Sequence, residues 1–339
     1  MKVGILIPRL VNCGPVNMAL SIVKALLYSE KINFRIIVVH SERNDQSMMN
    51  YISKQLKVPV IVLNENNKVD HLVNICGSLD VVHSHGYYPD KLLSKINIKK
   101  ITTIHCMFYK DYVSEYGIFK GLLASFLHFR YLKIGSFKYI VGCSQSVENY
   151  VKNHIGNLTT KFVNNGVDQN IFRKIDCSAR TERLKLLGFN KFNRIFIFSG
   201  RLIRRKRVPE LIGIFQNLFS HDDLLIIIGD GDEFNICSER KYNNVIFLGA
   251  VNNPEFYYQC ADFVISNSSA EGYPMSIIEA VSCGCKALLS DIPPHRDFIK
   301  NNSSVACLIN NIKFSDDFYD PKQLSSEIMA KSYHNLYLS

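Results

Sequence analysis

No stretch of this 339-residue chain runs through about 18 uninterrupted apolar residues, so no membrane-spanning helix is expected. The N-terminal MKVGILIPRL has neither the longer apolar core nor the small-residue cleavage site of a secretory signal. It reads as a strand, and the chain is expected to stay in the cytoplasm. No C-x-x-C pair occurs among the ten cysteines, the nearest approach being Cys283-Gly284-Cys285. Neither a zinc site nor a disulfide framework is therefore expected, and the cysteines read as reduced, mostly buried thiols. An N-x-S/T sequon at Asn157 carries no meaning in such a compartment. Low-complexity segments and short-period repeats are missing as well.

Acidic residues are in deficit, 30 Asp and Glu against 40 Lys and Arg, which leaves a net charge of +10. A basic balance suits nucleic acid, anionic lipid or phosphorylated ligands. No aromatic-interleaved basic stripe or known nucleic-acid module appears, so a nucleic-acid partner is not expected. The charge concentrates instead in two places. Arg201, Arg204, Arg205, Lys206 and Arg207 form one; the other is the span Tyr116 to Val147, with four Lys or Arg and no Asp or Glu.

What is present is a globular composition, 47% hydrophobic and 21% charged, in a chain long enough for two domains. VGILIP, FRIIVVH, VPVIVL, DVVHSH, KITTIH and KYIVGCS read as buried strands separated by helix-length segments. RIFIFSG, DLLIIIGD, NVIFLGA, DFVISNS, CKALLSD and SVACLIN repeat the rhythm. Continuous apolar strands joined by helices predict parallel sheets covered on both faces, hence two doubly wound α/β domains. Turn residues in VNNGVDQNIFRK place the join near Gly166 to Arg173. The expected division is 1–168, 169–320 and a short helical tail at 321–339. Ligands of such sheets sit beyond the carboxyl ends of the strands.

Several strand-end loops carry candidate chemistry. Gly14 and Pro15, in PRLVNCGPVNMAL, open a helix whose first amides could meet a phosphate or sugar oxygen, or could form a tight turn without a ligand. In FSGRLIRRKRVPELI, Arg201 and Lys206 could hold two oxygens of a diphosphate; the alternative is a solvated basic helix start. LLIIIGDGDEF completes neither a dinucleotide fingerprint nor a P-loop, and Asp230-Gly231-Asp232 reads as a sharp turn rather than a metal site. In NSSAEGYPMSIIEAVSCGC a helix is expected from about Pro274, with Glu271 in the preceding loop and Glu279 about two turns inside. Amides at Gly272, Tyr273, Met275 and Ser276 would then face an anion, although structural carboxylates at this spacing are also common. His83, His85 and His105 end strands, and His105 is the preferred candidate because MFYKDYVSEYG beside it reads as a mobile loop. A satisfied buried histidine is the alternative. No nucleophile elbow or Cys–His signature supports hydrolysis.

Taken in order, the Gly14 loop, His105, VGCSQSVENYV, NNGVDQNIF, Gly200-Arg201 with Lys206, Gly229-Asp230-Gly231, FLGAV and the E-x₇-E pair Glu271 and Glu279 resemble the family 4 retaining glycosyltransferases. The resemblance implies a GT-B fold, two Rossmann-like domains facing across a cleft, the first binding a glycan acceptor and the second a nucleotide sugar, expected as a UDP-sugar. It implies that Arg201 and Lys206 hold the diphosphate and Gly14 amides touch phosphate or sugar. Glu279 would take the ribose hydroxyls, and main chain at Val251, with Gly231 nearby, would meet the base. Glu271 with Gly272, Tyr273, Pro274 and Met275 would position the sugar, and His105 would lie near its reacting carbon. No cofactor and no metal are implied beyond the donor substrate. Where relatives carry Glu after the strand near Ser290, this chain reads DIPPHRDF, and Asp297 is given no role. By the same resemblance, the tail reads as short for the helix that usually returns to the first domain. The apolar and basic span 118–139 reads as a helix for an anionic membrane surface, or as a packing helix with snorkelling lysines. The function expected is sugar transfer to a glycan, lipid-linked acceptor included, in surface polysaccharide synthesis. A nucleotide-sugar epimerase or hydrolase, or a non-catalytic subunit, remains open.

Overall fold

The computed structural model describes residues 1–27, 30–156, 158–239, 241–317 and 319–339; Asn157 with its sequon lies outside them. The chain divides into two units, Met1–Gly166 with Ser325–Ser339, and Val167–Leu324.

The first unit carries seven parallel strands: β1 (Lys2–Ile7), β2 (Asn33–Val38), β3 (Val60–Val62), β4 (Val81–His85), β5 (Lys100–Ile104), β6 (Tyr139–Gly142) and β7 (Thr160–Phe162), in the order β3-β2-β1-β4-β5-β6-β7. The second carries six: β8 (Ile195–Ser199), β9 (Leu224–Ile228), β10 (Val245–Gly249), β11 (Phe263–Ser266), β12 (Lys286–Leu289) and β13 (Ala306–Leu308), in the order β10-β9-β8-β11-β12-β13. Every expected strand run forms a strand. The edge strand β7 escapes sequence reading because it is three residues long and half-exposed. Strands such as β9, LLIII, are apolar at every position because helices cover both faces and leave no wet side. In each sheet the winding direction reverses once, between β1 and β4 and between β8 and β11. Ligand crevices of open α/β sheets lie at such reversals.

The tail at 321–339 is not a separate piece: residues 321–324 belong to the second unit and Ser325–Ser339 to the first. Its helix Ser326–Leu338 begins on a Ser325 cap, whose hydroxyl accepts from the Ile328 amide at 3.3 Å. Met329, Ala330, Tyr333 and Tyr337 pack into the first unit's core with Ile5, Met18 and Ile22. Tyr333 hydroxyl meets Thr103 Oγ1 at 2.9 Å and Tyr337 hydroxyl meets His83 Nδ1 at 2.7 Å, so each buried ring has a partner for its polar end.

The segment MFYKDYVSEYG, expected as a mobile loop, is the helix Phe108–Tyr116. Asp111 accepts from the Met107 amide at 3.0 Å, and Phe108 is buried. The helix Ile118–Ile134 follows directly. The two meet at Gly121, where an added Cβ would lie 2.4 Å from Val113 Cα, so only glycine allows the approach. No helix among the described residues is long and apolar enough to cross a membrane. All ten cysteines are free thiols, seven of them buried.

Candidate active site

At the reversal between β8 and β11, the two following loops are tied together. The β8 loop turns through the short 3-10 segment Arg204–Lys206 before the helix Val208–Leu218. Arg205 O accepts from the Ser269 amide at 2.8 Å, and Arg205 Nη1 donates to Ala270 O at 2.9 Å. Glu271, from the β11 loop, is buried, and both its oxygens are occupied. Lys206 Nζ binds Oε1, and Arg205 Nη1 lies 3.3 Å from Oε2. Burial alone would raise the Glu271 carboxyl, but the Lys206 and Arg205 charges outweigh it and hold it at about 2. The Lys206 ammonium lies over the strand end, 3.7 Å from where a Cβ on Gly200 would stand.

Glu279 approaches the same strand end from the helix Met275–Ser282. Pro274 is the N-cap of that helix rather than part of its first turn. Glu279 is the fifth residue of the helix, little more than one turn in rather than two. The Tyr258 hydroxyl donates to Glu279 Oε2 at 3.3 Å and also meets Ser199, the last residue of β8. Burial pushes the Glu279 carboxyl up to about 7, because no cation neutralises it as Lys206 and Arg205 neutralise Glu271. The strand end is thus flanked by a firmly ionised carboxylate and by a carboxyl without a neutralising cation.

The second unit's other candidates lie on the loops after β8, β9, β10 and β11, with different degrees of engagement. Arg201 is exposed at the start of the β8 loop, and Arg205 joins Lys206 on Glu271. Gly231 follows β9, where an added Cβ would lie 2.4 Å from Leu202 O; the Asp-Gly-Asp string is a turn pressed against the β8 loop. Val251 follows β10, half-buried, two residues past Gly249, whose carbonyl accepts from the Gly229 amide at 2.8 Å. Gly272 and Tyr273 are buried and take part in interactions within the protein. Met275 and Ser276 open the helix, half-buried. No group of three or more His, Cys, Asp or Glu among the described residues is placed to hold a metal.

Sequence reading missed His295. It is fully buried at the start of the helix Pro293–Asn301, its Nδ1 3.0 Å from Ser290 O, and it is electrostatically coupled to Glu271 and Lys206. The only sequence signal was a histidine in the loop after a strand, DIPPHRDF.

In the first unit, Gly14 opens the helix Gly14–Leu27 after β1, with Pro15 as its second residue. His105 follows β5, half-buried, its Nε2 3.0 Å from His85 Nδ1. Burial lowers the His105 imidazole to about 4, so it is neutral at pH 7. His83 is a satisfied core histidine, held by Tyr337 and by Thr103 Oγ1 at 2.7 Å.

Residues 180–328 match the family described as glycosyl transferases group 1. Over 99% of its length the chain is 25% identical to an O-antigen biosynthesis glycosyltransferase, WclY, of Escherichia coli, covering 98% of that protein. Over 74% of its length it is 24% identical to the alpha-monoglucosyldiacylglycerol synthase of Streptococcus pneumoniae, covering 58% of it. Anabaena Alr3699/HepE, solved in complex with UDP-glucose, superposes with a TM-score of 0.73 at 16% identity, over 99% of this chain and 89% of that one. The two parallel α/β units are thus of the Rossmann-like GT-B kind, and the findings together support a group 1 glycosyltransferase.

Proposed function

We propose that this protein is a retaining hexosyltransferase that moves a sugar from a UDP-sugar to a lipid-linked glycan in the synthesis of a surface polysaccharide such as O-antigen, capsule or exopolysaccharide. The observation that carries the reading is the Lys206–Arg205–Glu271 cluster at the β8/β11 reversal, with Glu279 beside the same strand end. Relatives in O-antigen synthesis and a neighbour holding UDP-glucose support the donor and pathway class.

In this reading Lys206 and Arg201 meet the diphosphate charge that grows as the glycosidic bond breaks. Glu279 accepts the ribose hydroxyls, and Val251 main chain meets the base. Glu271, ionised and held by two cations, is a weak nucleophile, which favours front-face displacement. The acceptor oxygen bonds to the anomeric carbon on the face the phosphate leaves, and its proton passes to the departing phosphate oxygen. Positive side chains take the place of a metal, so turnover should persist in EDTA.

A membrane-facing acceptor is supported by the helix Ile118–Ile134. One side is bolted inward by His128 Nε2, 2.7 Å from the buried Asp90. Its other side leaves Ile118, Phe119, Leu122, Leu123 and Phe126 exposed, with Lys120 and Arg130 on the same helix. That composition suits the cytoplasmic face of an anionic membrane, where the protein would sit peripherally.

Donor consumption with and without a lipid-linked acceptor tests the proposal. Transfer that requires acceptor supports it; equal consumption without acceptor favours the epimerase or hydrolase reading.

A further inference from the structure

His295 is buried on every side, and its two ring nitrogens have unequal company. Nδ1 has two neighbours, both on Ser290: the carbonyl oxygen at 3.0 Å and Oγ at 3.1 Å. A carbonyl can only accept. Ser290 Oγ spends its own proton on Ser268 O, 2.7 Å away, so towards the imidazole it too is an acceptor. Nδ1 must therefore carry the ring proton, and in the neutral ring Nε2 is left with a bare lone pair. Burial lowers the ring to about 4, with Glu271 pulling the other way, so the neutral form holds at pH 7. That Nε2 is buried and has no hydrogen-bond partner.

An unmatched acceptor in a buried setting is costly unless a donor completes it. Its location indicates which donor. Ser290 ties the loop after β12 to Ser268 after β11, three residues before Glu271. Phe298, on the same helix as His295, packs edge-on against Tyr273 with ring centroids 5.9 Å apart. His295 thus stands behind the Glu271 loop, where Glu271 and Lys206 are its charged neighbours. A phosphate cannot satisfy a bare lone pair, since it too offers acceptors. A sugar hydroxyl or an acylamino N–H can.

We propose that His295 Nε2 accepts a hydrogen bond from a hydroxyl or amide N–H of the sugar being transferred, making His295 a specificity-determining residue of the donor site. The inference rests on the nucleotide-sugar reading above, and it separates the sugar's contribution to binding from the nucleotide's.

The test is calorimetric titration of the full chain and of His295→Phe with UDP and with the UDP-sugar that the wild type binds best. UDP affinity should stay within about twofold, while the extra affinity conferred by the sugar should fall about tenfold. An unchanged ratio of UDP-sugar to UDP affinity in the variant overturns the assignment. If UDP binds neither protein, the nucleotide-sugar reading itself fails and this one falls with it. Should His295→Phe not fold, ¹⁵N-histidine spectra of the wild type serve instead. They should show a Nδ1-protonated ring whose Nε2 resonance moves with UDP-sugar and not with UDP. A Nε2-protonated ring, or an unmoved resonance, would be equally fatal.

Discussion

Glu271 and Glu279 are eight positions apart, yet their carboxyls differ by most of the titration range, about 2 against about 7. The difference is one of company: two cations on the first, a tyrosine hydroxyl on the second. It makes Glu279 a source of instability in the empty protein. Between pH 4.5 and about 7 the unfolded chain has released this proton and the folded chain retains it, so stability falls as pH rises through that window. Glu279→Gln should therefore raise the melting temperature above pH 7, a gain of about 3 kcal/mol or less, and the gain should vanish towards pH 4.5. Thermal denaturation across pH reads this, and a destabilised variant at pH 8 would refute it. The same substitution should raise the donor KM while leaving kcat within about tenfold, since the ribose does not react. The E-x₇-E spacing was legible in the sequence. The pairing of Glu271 with Lys206 and Arg205 was not, because some 65 residues separate partners that only sheet order brings together. His295 escaped because its charged neighbours, Glu271 and Lys206, lie 24 and 89 positions earlier in the chain.

At the scale of elements, strands were easier to read than helices. Twelve of the thirteen strands announce themselves as apolar runs, because burial on both faces writes a continuous signal. The helix Phe108–Tyr116 did not, since FYKDYVSEY shows mostly polar residues and buries only Phe108 and Asp111. The helix Ile118–Ile134 was read as amphipathic and basic, and its outward apolar side is the feature with a testable consequence. Phe119 is 90% exposed and Phe126 59%. Burying a phenylalanine is worth roughly 1.5–3 kcal/mol. The double change Phe119→Ser, Phe126→Ser should therefore weaken binding to anionic vesicles at least tenfold, with no loss of thermal stability. Cosedimentation with vesicles measures it, and undiminished binding would remove the helix from any membrane role.

For the whole molecule, the chain order and the folding units do not coincide. The second unit is contiguous, Val167–Leu324, whereas the first is completed only by the last helix. A fragment of residues 167–324 should fold cooperatively alone. Residues 1–166 lack Met329, Tyr333 and Tyr337 and leave His83 and Thr103 without their tyrosine partners, so they should melt far lower or not fold. Circular dichroism melts of the two fragments decide it; a stable 1–166 fragment would mean that the last helix contributes little. The tail looked marginal in the sequence because PKQLSSEIMAKSYHNLYLS is mixed in polarity, and its buried tyrosines gain their value only against a histidine and a threonine some 230 to 254 positions away.

The central claim is that the β8/β11 reversal binds the diphosphate of a nucleotide sugar through Lys206. Titration of UDP into the wild type and Lys206→Ala measures it directly. A charge-assisted hydrogen bond is worth about 1.5–3 kcal/mol, so the variant should bind UDP about 10- to 100-fold more weakly while remaining folded. Equal UDP affinity in the two folded proteins, or no UDP binding by the wild type, would contradict the account.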